Sequence, residues 1–132
     1  MNVAKILIEE YRASRTVPFV WGSADCLIWA AASAIRIIGR DPIAHIRGRY
    51  SSLKGAREIM AAEGWTDMGD VAASCFAEIP VANARTGDWA RVVNGDSTDM
   101  IGVFAGAMIA AKTEFGMGQV PRSRAVRAFR VE

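Results

Sequence analysis

The sequence is poor in the residues that build metal centres and disulfide frameworks: it has two cysteines, one histidine, and no CxxC pair or Cys/His cluster. That removes any familiar zinc site and leaves Cys26 and Cys75 as free thiols, with neither metal nor cofactor expected. Long apolar runs are also missing, so membrane insertion is not expected. The first ten residues hold Glu9 and Glu10 inside an amphipathic pattern, unlike a signal peptide, and folding in a cytoplasm is the expectation. A net charge of +2 is too small a basic excess to indicate a nucleic-acid partner. Lysine is scarce too: 13 of the 16 basic residues are arginine, a bias that a GC-rich genome produces as readily as a protein interface does.

What the chain does have is apolar content, 52% of its 132 residues, enough for a core without staples and in keeping with a single domain over 1–132. Its organising stretch is residues 18–31, where an aromatic segment broken by Gly22 leads through Ser23 and Asp25 into an almost wholly apolar run from Cys26 to Ile38. Ser23 or Asp25 can cap that helix, which is apolar all round and so reads as buried on most sides. Cys26 then falls in its first turn, where main-chain N–H groups and the helix dipole favour a thiolate. This is the position best placed for nucleophilic chemistry. A thiol also needs a proton acceptor, and the lone histidine, His45, lies in an arginine-rich loop.

Taken in order, Asn2 caps a first helix to about Ala13, and Pro18 keeps the preceding residues extended. The buried helix stops at Gly39, and Asp41-Pro42 opens a short turn or a single helical turn. Ser51 or Ser52 caps a helix through Ala62 that Gly64 ends, and a short helix runs from Asp67 or Asp70 to Phe76. Beyond Pro80 the periodicity becomes that of strands: residues 89–93, a turn at 94–96, a strand over 100–105, another over 108–111, and a last one over 125–131. Residues 115–118, with Met117 between two glycines, read as a loop. The layout is α+β, with helices packed on a three- to four-stranded antiparallel sheet. Trp21, Trp29, Trp65 and Trp89 suit a helix–sheet interface, and Asp88 a turn that opens a strand.

A helix, then a cysteine heading a buried helix, then an antiparallel sheet opened by Gly-Asp resembles the NlpC-type branch of papain-like cysteine peptidases, which cut peptide links in bacterial cell walls. The matching pieces are Phe19-Val20-Trp21-Gly22 with Asp25-Cys26, Thr86-Gly87-Asp88-Trp89, and Ile101-Gly102-Val103-Phe104. A closer likeness covers nearly the whole chain: residues 18–26, 39–50, 87–89 and 125–131 together resemble a family of small proteins encoded among the tail genes of phages and prophages, an offshoot of the same fold. The resemblance implies an NlpC-like domain, a virion-tail location after synthesis in the host cytoplasm, other tail proteins as partners, and peptidoglycan as a candidate ligand.

In the peptidases the general base is a histidine opening the strand that here begins near Met100, and a third polar residue follows on the next strand. This chain has Asp99 or Met100 at the first place and Ile109, Ala110 or Ala111 at the second, so both partners of Cys26 are missing. Two hypotheses follow. One is a structural or assembly component of the tail, at its tip, on a catalytically silent fold, with Arg122, Arg124, Arg127 and Arg130 as interface residues. The other is an active cysteine peptidase that degrades peptidoglycan as the phage enters the cell, with Cys26 as nucleophile and His45 as base. Trp21, Asp25 and Asp88 would line an inherited cleft in either case, and a domain that binds wall peptide without cutting it lies between the two.

Overall fold

Four helices and one six-stranded antiparallel sheet make up the computed structural model, which describes residues 1–132. Helix α1 spans Val3–Ser14, with the Asn2 side chain accepting from the Lys5 amide at 3.0 Å. Helix α2 is Cys26–Ile38. It is capped by Asp25 rather than Ser23, and ended by Gly39 in the left-handed conformation (φ 78°) that glycine adopts without steric cost. Helices α3 (Leu53–Glu63) and α4 (Met68–Ala73) start at Ser52 and Asp67, whose side chains accept main-chain N–H bonds. Of the short turn or single helical turn open after Asp41-Pro42, the structure has turns, over residues 42–48.

The strands are β1 (Glu78–Ile79), β2 (Trp89–Val93), β3 (Asp99–Ala105), β4 (Met108–Thr113), β5 (Gly116–Pro121) and β6 (Ala125–Phe129). Their order across the sheet is β1-β6-β2-β3-β4-β5. The sheet therefore has six strands, not three or four. The two unforeseen strands are both edges. β1 has only two residues, and β5 reads Gly-Met-Gly-Gln-Val-Pro, without the β-branched alternation that marks a strand in sequence.

Helix α2 lies on one face of the sheet, where Leu27, Trp29, Ala30, Ala31 and Ala34 meet Trp89, Ile101, Val103, Ala110 and Phe129. Alanines let the helix approach closely, and Phe76 meets Trp89 edge-on at 4.9 Å between ring centroids. The other face buries Ala90, Val92, Met100, Phe104, Ile109 and Ala128. Arg122 seals that side, its guanidinium 4.6 Å from the Phe104 ring and hydrogen-bonded to the carbonyls of Val81 and Ala84. Pairing of β3 with β4 runs from Ala105↔Met108 to Val103↔Ala110. The remaining half of β3, Asp99 included, pairs with β2.

Candidate functional site

The turn before α2 is built by three contacts to one carboxylate. Asp25, 1% exposed, accepts from the Ile28 amide at 2.9 Å, the Gly22 amide at 2.9 Å and the Tyr50 hydroxyl at 2.5 Å. Gly22 has φ 86°, and a Cβ there would strike the Tyr50 carbonyl oxygen, so the turn requires glycine. Burial and the adjacent Asp25 charge raise the Tyr50 hydroxyl pKa, which keeps it a donor to Asp25.

Cys26 follows immediately, in the wall between two cavities. One, of about 50 Å³, is almost wholly apolar and lies among Trp21, Leu27, Ile46, Tyr50, Met60 and Trp65. The other, of about 360 Å³, is a polar cleft that includes Trp21, Asp96, Asp99, Met100, Lys112 and Thr113 along its walls. Burial pushes the Cys26 thiol up to about 12, and Asp25 adds to this; main-chain hydrogen bonding at Ile101 and Leu27 opposes it to a smaller extent. The expectation of a thiolate-favouring position is thus corrected. The helix N-terminus is there, but desolvation and a neighbouring carboxylate outweigh it.

His45 does not line either cavity with Cys26. Its Nε2 lies 2.8 Å from Ser74 Oγ, and its ring stands edge-on to Trp65 at 6.4 Å. The Ser74 hydroxyl already donates to the Val71 carbonyl at 2.6 Å, so the imidazole presents N–H to Ser74 and is in the wrong tautomer to accept its proton. The pair ties the 41–50 turns to the end of α4. Cys75, beside it, is half-buried with its thiol raised by burial, and its Sγ meets the Val71 carbonyl at 3.4 Å.

Of the positions offered for the missing partners, Asp99 and Met100 do line the cleft, but the Asp99 carboxylate is engaged by Arg91 Nε at 2.9 Å and the Met68 amide at 3.0 Å. Ile109, Ala110 and Ala111 are buried in the sheet faces and stay out of the cleft. The β4 residues that do reach it are Lys112 and Thr113, which sequence reasoning missed. Lys112 is 2% exposed and has no carboxylate beside it. Its ammonium donates to Ser14 Oγ at 2.6 Å, the Val17 carbonyl at 2.7 Å and the Ser14 carbonyl at 3.0 Å, all three donors satisfied at the end of α1. Burial lowers its pKa. The available signal was a single lysine following the apolar run Met108–Ala111 within the strand.

Asp88, expected in the cleft, is not there. It is buried beneath β6, accepting from the Arg85 amide, Arg130 Nε and the Val131 amide, each at 3.0 Å, because a carboxylate so placed must be fully hydrogen-bonded. Trp21 lines both cavities, while Asp25 borders only the apolar one with its oxygens already engaged. The four arginines also divide. Arg127 joins Asp67, Asp70 and Glu78; the Asp70 carboxyl is held down to about 2, chiefly by the Thr66 amide and hydroxyl and then by Arg127. Arg130 holds Asp88, and Arg122 covers Phe104. Arg124 alone is exposed without a hydrogen bond or ion pair.

The chain belongs to the family described as Domain of unknown function (DUF6950), which matches residues 2–131. No curated protein matches it.

Proposed function

We propose that this protein is a structural or assembly component of a phage or prophage tail, at the tail tip, built on an NlpC-like peptidase frame that no longer cuts. The observation that carries the reading is the setting of Cys26: a half-buried thiol in a cleft wall, its pKa pushed up to about 12 by desolvation and Asp25, with the only imidazole of the chain turned to Ser74. Thiol hydrolysis needs an acceptor for that proton and a donor for the leaving amine. Asp99, a carboxylate of the cleft, is already held by Arg91 and the Met68 amide. The likeness of residues 18–26, 39–50, 87–89 and 125–131 to tail-cluster proteins supplies the setting, with other tail proteins as partners.

The test is genetic. Replacing Cys26 with alanine in the phage leaves particles with complete tails at normal yield, whereas deleting the gene abolishes them. Loss of infectivity from Cys26→Ala with tails intact would instead favour a peptidase that acts as the phage enters the cell.

A further inference from the structure

The geometry points to β5 as the contact by which two copies of this chain pair edge to edge, extending each six-stranded sheet into one of twelve. The inference is independent of the tail reading. In an antiparallel ladder, residues alternate between those that bond to the neighbouring strand and those that face away. The Arg122 amide donates to the Ala107 carbonyl, and the register Ile109↔Val120, Ala111↔Gly118, Thr113↔Gly116 keeps the same phase. Met117 and Gln119 therefore turn their N–H and C=O groups to the open edge, where no other strand lies.

Edge strands are normally protected by charge, by shortness or by a bulge. The opposite edge follows this rule: β1 is two residues long, and its Glu78 is clamped by Arg127. β5 has six residues and no charge, with Pro121 only at its end. At its centre Gly118 has an ordinary φ, and a Cβ there would meet nothing within 4 Å. The monomer does not need glycine at that point, and a glycine inside a strand often marks the close approach of another backbone.

What selects a second copy as the occupant is the arrangement of charge around this strand. Glu114 lies two residues before β5 and Arg124 three residues after it, at the end of a short helical turn, both exposed and neither in an ion pair or a side-chain hydrogen bond. A two-fold axis through Gly118 sets Met117 opposite the second copy's Gln119, which makes four main-chain hydrogen bonds with Gly118 facing itself. The same axis carries each Glu114 to the arginine end of the other strand. Phe115, 98% exposed beside Glu114, comes opposite the second copy's Pro121. An isologous pairing of this kind closes on itself and leaves no further edge at β5.

Sedimentation equilibrium of the purified chain tests the pairing. The wild type shows a reversible monomer–dimer equilibrium. Gln119→Pro, which removes an N–H that faces solvent in the monomer, lowers the association constant by about tenfold or more while circular dichroism stays native. Should that variant fail to fold, Glu114→Arg and Arg124→Glu each weaken the dimer, and the double exchange restores it. A wild type that stays monomeric up to about 1 mM would overturn the inference. So would a dimer that neither Gln119→Pro nor a single charge reversal weakens.

Discussion

Three residues carry most of the physical argument, and each is decided by what surrounds it. Asp88 and Asp25 are acids that stay buried because every oxygen is used; Cys26 is a thiol that stays neutral because burial and Asp25 outweigh the helix N-terminus. With the Cys75→Ser variant as background, alkylation of Cys26 is expected to be slow at neutral pH and to keep accelerating up to about pH 12, with no plateau near pH 7 to mark a thiolate–imidazolium pair. The linkage has a definite sign. Unfolded cysteine loses its proton near about pH 8.5, so above that pH the unfolded chain binds fewer protons than the folded one. Stability then declines as pH rises, by at most about 1.4 kcal/mol per unit from this group, until the folded thiol titrates. Cys26→Ala removes that part of the alkaline slope, as urea titrations across the range will show. Asp88→Ala strands Arg130 and two main-chain amides, and is expected to cost about 3 kcal/mol in the same titrations. Asp25, the acid beside the cysteine, was legible in the sequence as a helix cap. The role of Asp88 was not, because its partners at Arg130 and Val131 lie more than forty residues away and only the closed sheet brings them to it.

At the scale of elements, the helices were legible and the sheet only partly so. Caps and stops are local: Asn2, Asp25, Ser52 and Asp67 each bond an amide three residues on, and Gly39 and Gly64 end helices in the left-handed region, so the signal lies within one turn of chain. β5 depends instead on a neighbour, being a strand only because β4 offers six pairing residues to a segment with weak preference of its own. Lys112 is a similar case, since its partners, the Ser14 hydroxyl and the carbonyls of Ser14 and Val17, lie about a hundred residues away at and just beyond the end of α1. Lys112→Met keeps the apolar stem but removes the ammonium, leaving those acceptors without a donor. A loss of about 1–3 kcal/mol is expected, with faster amide exchange in the last turn of α1 than in α2. Uniform loss of protection across both helices would show that the lysine does not pin α1.

The whole molecule is an α+β domain, four helices and one six-stranded antiparallel sheet, and the proposed silent peptidase frame rests on where Cys26 sits in it. Helix α2 presents Cys26 to a cleft whose lining includes Asp99, Met100, Lys112 and Thr113; Met100 is apolar, and the polar groups of the other three are already hydrogen-bonded. The order of the elements, with the α+β class it implies, could be read from composition and punctuation, whereas the filling of the cleft needed the strand register. The most direct measurement of the account is release of soluble fragments from purified murein by the folded protein, beside the Cys26→Ser variant. The account predicts no release above the buffer control for either. Release by the wild type that serine at position 26 abolishes would contradict it.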